Sequence, residues 1–432
     1  MKMLLAFFVV FLVLAFFKLP VGFSILSGGL AAYLVSGIKL SIWPSSLFAG
    51  LDSFPLLAIP AFFLAGDLMS SGGISEALVD FIHSIVGRVR GALGAVAIIT
   101  SAVFGAISGS SVATVAAIGN ILKDPMIERG YDKEYLTALF ASAGILGTLI
   151  PPSIPGIMYA LMAEQRVTLV WMSTLFPGIV LTFLYCVANF IIYGRKQAKP
   201  EPLEKGAYGK GILKSTPKAV VALMMPVIIF GGVYGGIFTA TEAGAVAVLY
   251  GMLAGWVLYP VLFKQKPDKP LIKTIADSSV TALTVALAIS TANIISRAVA
   301  LSGVAKQIAD FMMNVSDKPG VFLLFVNLLL ILVGMFLETN AGILLFCPIL
   351  CPIATAYGID LVHFGAILLL NLEIGLMTPP FAGNIFVSCK MTGVTMDKML
   401  KDMIPFFACC IPVLIVTTYW PTFSMWIPNA IS

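Results

Sequence analysis

This sequence predicts an all-α polytopic membrane protein folded as two inverted structural repeats, each with a re-entrant helical hairpin and a broken transmembrane helix. Three observations lead there. The 432 residues are 59% hydrophobic and 11% charged, with a mean hydropathy of +1.02, far from the balance of a soluble domain. Apolar runs recur along the whole chain, each of the roughly 17 to 25 residues that span about 30 Å of hydrocarbon as a helix. Two of those runs are interrupted alike, by GILGTLIPPSIPGIMY (144–159) and NLEIGLMTPPFAGNIF (371–386).

The elements follow in order. The first half, 1–193, reads as spans at 1–17, 19–37 and 51–71, then an amphipathic arm helix at 74–89. A hairpin at 91–123 has two Gly-rich apolar arms, 91–107 and 111–123; a broken helix at 134–163 and a span at 168–193 follow. Residues 1–17 lack a basic leader of any length, and Lys18-Leu19-Pro20 is no small-residue cleavage site, so a retained span is expected. A polar linker at 194–217 divides the chain. The second half, 218–432, carries spans opening at 217–237, then 240–263 and 273–300, an arm helix at 303–316 and a hairpin at 319–356 with arms 319–337 and 341–356. A broken helix at 361–390 and a last span at 403–428 close it.

The halves repeat each other. LVDFI (78–82) answers IADFM (308–312), and MIERGYD (126–132) answers ATAYGID (354–360). Gly147, Pro151, Pro152 and Pro177 match Gly375, Pro379, Pro380 and Pro405 at one constant offset of 228 residues. If each hairpin enters and leaves on one side, an odd number of spans separates the two, so they open to opposite faces and the repeats are inverted. On this topology 20 lysines and arginines, counting Lys218 at the linker's edge, fall on the linker's face and five on the other. That bias sets the linker in the cytoplasm and both termini outside.

The interruptions suggest a purpose. In lipid an unpaired backbone N–H or C=O costs several kcal/mol, so broken helix is tolerated only where protein or a polar cavity covers it. GTLIPP and GLMTPP are therefore expected to be buried. Prolines remove donors and free the carbonyls one turn back, while Gly144, Gly147 and Gly375 admit other backbone closely. Such oxygen-only cages suit a hard monovalent cation such as Na+. Each hairpin tip, SGSSVAT (108–114) or ETNAG (338–342), is expected to supply the facing half. Ser108, Ser110, Ser111 and Thr114 would then pair with Gly144, Gly147 and Thr148, and Thr339 and Asn340 with Gly375, Met377 and Thr378. Half-helix N-termini at the same place favour an anionic group, which implies a carboxylate-bearing solute. Its contacts are expected from Ser110, Pro151, Pro152, Ser153, Thr339, Pro379, Pro380 and Asn384.

Blander readings compete at each point. One proline in one span is often only a kink, and a Ser/Gly tip can be close helix packing; two double-proline breaks in register, each preceded by a polar tip, favour a site. Glu242 fits a capping box from Thr239. Glu338 and Glu373 lie beside the second tip and break, where an intramembrane acid is a functional candidate whose role the sequence leaves open. His83 and His363 are expected at water or headgroups. The six cysteines have no metal-ligand spacing and read as core residues. No HExxH or GxSxG motif supports an enzyme, and no basic stripe supports a nucleic-acid partner. A channel could use carbonyl cages too, but paired inverted hairpins over midplane sites fit alternating access better.

IPAFFLAGDLMSSGGI (59–74), GSSVATVAAIG (109–119), GTLIPPSIPGIMYALMAE (147–164), GGVYGGIFTATEAGAVAVLY (231–250) and NLEIGLMTPPFAGNIF (371–386) resemble the large, DctM-like membrane subunit of tripartite ATP-independent periplasmic (TRAP) transporters. The resemblance covers essentially the whole chain and leans to the sialic acid branch. It implies a Na+-driven importer of the bacterial inner membrane with elevator-type architecture, like that of the ion transporter superfamily. Two or more Na+ would be co-transported, with no organic cofactor. Its partners would be a small four-helix membrane subunit, expected as a separate chain because this one begins at its first span, and a periplasmic solute-binding protein. The second tip, ETNAG, departs from the serine-rich pattern of the first, which leaves its ion chemistry open.

Overall fold

The computed structural model describes residues 2–17, 19–86, 91–193, 207–380 and 382–431. Regular structure among them is entirely helical, as a chain in hydrocarbon must be when its backbone cannot bond to water. The first half contains α1 (Lys2–Phe16), α2 (Val21–Ser36), α3 (Trp43–Leu51), α4 (Ala58–Ser71), α5 (Ile74–Val86), α6 (Ala92–Ser108), α7 (Ser111–Glu128), α8 (Lys133–Gly144), α9 (Leu146–Leu149), α10 (Ile154–Met162) and α11 (Val167–Tyr193). The second contains α12 (Ala207–Tyr234), α13 (Ala240–Leu253), α14 (Tyr259–Phe263), α15 (Leu271–Ser302), α16 (Val304–Val315), α17 (Pro319–Phe336), α18 (Thr339–Ala356), α19 (Leu361–Leu376), α20 (Gly383–Thr392), α21 (Met396–Tyr419) and α22 (Thr422–Ile431). Eight helices among the described residues are long and apolar enough to cross a bilayer, or nine if the bent α8–α10 pair is one span.

Several boundaries differ from the sequence reading. α12 begins at Ala207, so the end of the expected linker is helical; Ser215 Oγ donates to Ser84 Oγ at 3.0 Å, fixing that stretch to α5. Residues 194–206, with Lys18, Arg88 and Arg90 of the charge count, lie outside the described residues. α3, which the reading of spans did not include, starts with Pro44 in its first turn, where a missing N–H is harmless. The last span is divided at Trp420 and Pro421 into α21 and α22, since proline biases the residue before it away from helix.

Leu5, Phe16, Phe183, Ile272, Leu283 and Leu328 are exposed on the chain's outside, as lipid-facing residues can be, while Phe7, Tyr33, Trp171, Tyr185 and Phe364 are fully buried. The two halves interlock. α10, the outer part of the first broken helix, packs on α18 and α19; α20, its counterpart in the second, packs on α7 and α8. Hydroxyls fasten both crossings. Tyr159 on α10 donates to Leu361 O at 2.5 Å, and on α20 Ser388 donates to Thr137 O at 2.7 Å, with Thr137 Oγ1 and Thr392 Oγ1 2.7 Å apart. Around this unit α2, α3 and α4 pack on α15, α4 packs on α13, and α5 joins α12 to α6.

Candidate ion and solute site at the paired helix breaks

The first break lies between α9 and α10, whose flanking segments are bent by 49°. Ile150 turns extended (ψ 117°), the Pro151–Pro152 peptide is cis, and Ser153 restarts the helix by accepting from Gly156 N at 3.3 Å. Two outside groups hold the loosened backbone. Gly109 O at the first hairpin tip accepts from Ile154 N at 3.2 Å, and Trp171 Nε1 donates to Ser153 O at 3.1 Å. Pro151, Pro152 and Ser153 are buried, as a broken backbone at membrane depth requires.

The hairpin tip meets this break through glycine. Gly105 packs against Gly147 so closely that a Cβ on Gly105 would strike the Gly147 backbone, and a Cβ on Gly147 would lie 2.9 Å from Ser110 O and against the Thr114 hydroxyl. Gly144 faces the carbonyl of Ser111, 3.2 Å from where its Cβ would be. The tip's hydroxyls are ordered among themselves: Thr114 Oγ1 donates to Ser110 O at 2.8 Å and lies 3.2 Å from Ser108 Oγ. Ser108, Ser110, Ser111, Thr114, Gly144, Gly147 and Thr148 therefore occupy one oxygen-rich seam between α7 and α9.

The second break repeats the theme with a different finish. α19 ends at Leu376, Thr378 N donates to Gly375 O at 2.8 Å, and the Pro379–Pro380 peptide is cis. Gly375 packs on Gly334, with 2.5 Å from its would-be Cβ to Gly334 Cα. Gly375 and Met377 are buried, but Thr378 and Pro379 are half-buried and Pro380 is exposed. The expectation that GLMTPP is wholly buried therefore fails at its last proline; Phe381, next in line, lies outside the described residues. Met377 turns its sulfur to Tyr185, whose hydroxyl donates over 3.7 Å, and Thr378 Oγ1 donates back to Ile374 O at 2.6 Å. Asn384, fully buried on α20, reaches across to Ala141 O at 3.3 Å and comes close to Gly144.

The halves meet at Glu373. This carboxylate on α19 is fully buried and accepts from Ser111 Oγ at 2.5 Å through Oε2 and from Thr339 Oγ1 at 2.8 Å through Oε1. Thr148 Oγ1 lies 2.9 Å from Ser111 Oγ and so adjoins the carboxylate through it. The spacing predicts Ser111 and Thr148 in one cage and Thr339 in another; the structure joins Ser111 and Thr339 on one side chain, with Thr148 linked through Ser111. Asn340 instead donates to Glu338 Oε1 at 2.6 Å. The joining of Ser111 to Thr339 was foreshadowed, because they stand at the same 228-residue offset and are the first residues of α7 and α18.

Other candidates resolve simply. Thr239 and Glu242 form the capping box of α13. His363 is buried rather than at a headgroup, with Nδ1 2.8 Å from Ser424 Oγ, because α22 folds back over the start of α19. Among the described residues no three His, Cys, Asp or Glu side chains converge as a transition-metal site would need. A cavity of about 600 Å³ lies beside α7, lined by Ser70, Ser75, Glu76, Ala116, Asn120 and Asp268, one to three turns beyond Ser110.

Two helix breaks at membrane depth, the first sealed inside protein and the second open only at its last proline, each beside a helical hairpin, are the architecture of a helical membrane permease. The fold agrees: the crystal structure of the YdaH transporter of Alcanivorax borkumensis superposes with a TM-score of 0.62 over 89% of this chain and 88% of that one, at 12% identity. The chain belongs to the family described as "Tripartite ATP-independent periplasmic transporter, DctM component", whose profile matches residues 8–423. It is 35% identical to the C4-dicarboxylate TRAP transporter large permease DctM of Pseudomonas aeruginosa, over 94% of this chain and 93% of that one. It is 33% identical to the sialic acid large permease SiaM of Vibrio cholerae, over 96% of each. It is also 34% identical over 98% of its length to the isethionate permease DctMQ of Oleidesulfovibrio alaskensis, of which it spans 66%.

Proposed function

We propose that this chain is the large permease of a Na+-coupled secondary importer of a carboxylate-bearing solute, working by an elevator-type movement in a bacterial inner membrane. The observation that supports the reading is the matched pair of broken segments, each met at glycine distance by its hairpin: Gly147 by the first tip at Ser110 O and Thr114, and Gly375 by the second hairpin's arm at Gly334 and Ile331 O. Two or more Na+ would bind there and stiffen tips and breaks together. The solute's carboxylate would then bind between the tips, with Ser110, Ser153, Thr339 and Asn384 as its polar contacts. A membrane potential adds about 2.3 kcal/mol per charge per 100 mV to such an import. Relatives named for isethionate, C4-dicarboxylates and sialic acid match at nearly equal identity, so the lean to sialic acid gains no support over the other two.

The arm helices α5 and α16 would link a moving unit built on the hairpins to an outer scaffold. On the lysine and arginine bias, the linker would lie in the cytoplasm and the termini in the periplasm. A small four-helix membrane subunit and a periplasmic solute-binding protein complete the proposed assembly. Uptake by proteoliposomes tests the coupling: an inward Na+ gradient drives saturable uptake and counterflow, and Ser110→Ala or Thr378→Ala weakens Na+ activation. Conductance without saturable exchange would reject the carrier, and unchanged Na+ activation in both variants would reject the cages. Cysteines at Ser84 and Ser215, whose hydroxyls are 3.0 Å apart, test the elevator. Their disulfide stops uptake and reduction restores it; full transport in the oxidised pair would exclude the movement.

A further inference from the structure

We propose a further cation position, at the junction of the two halves, in which Glu373 is the anionic ligand of a small monovalent cation of the Na+ class. It rests on the Na+-coupled reading above and shares Ser111, Thr148 and Thr339 with the two cages, but differs from them in bridging the two halves and in having a carboxylate as its centre. Here Ser111 and Thr339, equivalent by the 228-residue repeat, approach opposite oxygens of one carboxylate at 2.5 and 2.8 Å, and Thr148 joins from the first break. The carboxylate therefore stands where the two repeats meet. All four side chains are buried, with exposures between 0% and 4%.

Charge and donor counting point to a cation rather than to a structural knot. Among the described residues no lysine, arginine or histidine pairs with Glu373, and the charged group that bears on it is another acid, Glu338. An unpaired charge in a moving unit within hydrocarbon is unfavourable. A cation beside the carboxylate removes the charge. Hydroxyls suit the exchange because each has one proton and two lone pairs. Ser111, Thr148 and Thr339 donate or share protons as the structure stands, and rotation about each C–O bond turns a lone pair to an arriving ion. Asn340, the residue after Thr339 in the chain, adds a further buried acceptor whose Oδ1 has no hydrogen-bond partner. Binding at this point would draw α7, α9, α18 and α19 together, so that occupancy registers in both halves at once.

Thermal unfolding of the full chain in lipid nanodiscs, titrated with NaCl against choline chloride at constant ionic strength, tests this without transport. The wild type should show a saturable Na+-dependent rise in unfolding temperature, and Glu373→Gln, nearly the same size but neutral, should move its midpoint at least tenfold higher. Thr339→Val should raise the midpoint several-fold and Thr339→Ser restore it. A Glu373→Gln midpoint within twofold of the wild type overturns the junction site and leaves the cages standing. A wild type that does not respond to Na+ overturns both. Should Glu373→Gln fail to fold, the Thr339 pair decides: equal midpoints for Val and Ser refute the site.

Discussion

The two hairpin tips occupy equivalent places yet hold themselves differently. Tip one ends α6 at Ser108, turns through Gly109 at φ +61° and begins α7 with Ser110 as a true N-cap, its hydroxyl accepting from Ala113 N at 3.4 Å. Tip two passes from Phe336 through Leu337 to Glu338, which stands at the N-cap without a side-chain cap bond. The breaks differ in step. The first is buried and tied by Gly109 and Trp171, whereas the second reaches the surface at Pro380, and where Trp171 stands in the first half the repeat places Met399, which has no N–H to offer. The first half satisfies its broken backbone locally. The second contributes the shared acid, Glu373, where the first has Ile145. The two halves thus share the glycine contacts that bring hairpin arm and break together, Gly105 on Gly147 and Gly334 on Gly375, and differ in their polar finishing.

The strongest challenge to that comparison is to fill both glycine contacts. Gly147→Val and Gly375→Val each drive a side chain into neighbouring backbone, Ser110 O in one and Ile331 O, 2.7 Å from the would-be Cβ, in the other. Overpacking of this kind costs about 1–3 kcal/mol or more. Uptake should fall at least 100-fold in both; retention by either would mean that half's hairpin does not have to pack closely on its break. The tie at Trp171 should be felt in one half alone. Trp171→Phe leaves the buried Ser153 carbonyl without its indole donor, about 1–3 kcal/mol, and should lower uptake several-fold, while Met399→Leu, a volume-conserving change under about 1.5 kcal/mol, stays near wild type. Equal effects would erase the asymmetry between the breaks. The smallest difference lies at the caps. Ser110→Ala should cost about 1 kcal/mol in unfolding and Glu338→Ala less, read as shifts in unfolding temperature in nanodiscs.

What could be read from the sequence, and what could not, follows from how far apart the partners lie. The breaks were legible because Gly147, Pro151 and Pro152 act through their own backbone, and the repeat offset carried them to Gly375, Pro379 and Pro380. The capping box at Thr239 and Glu242 was legible because caps are local. Glu373 was visible as a candidate but not as a junction, since its partner Ser111 is 262 residues away and nothing in either segment names the other. His363 went astray for the same reason: its partner Ser424 lies on a helix created by Pro421, which the reading had merged into one long span. The helical start of α12 was hidden by its polar composition, which in isolation suits a linker as well as a helix docked on α5.

The crossing of α10 onto α18 and α19, and of α20 onto α7 and α8, bears on biogenesis. Surfaces of α7, α8 and α10 that are inside the finished molecule have no mate until the chain has been made through Thr392. At about 5–20 residues per second the first half waits in the membrane for roughly ten seconds to most of a minute. During that interval those faces, and the Ser111 hydroxyl that awaits Glu373, need cover from lipid headgroups, the insertion machinery or another chain, and a stalled or truncated product would be left with the same surfaces open.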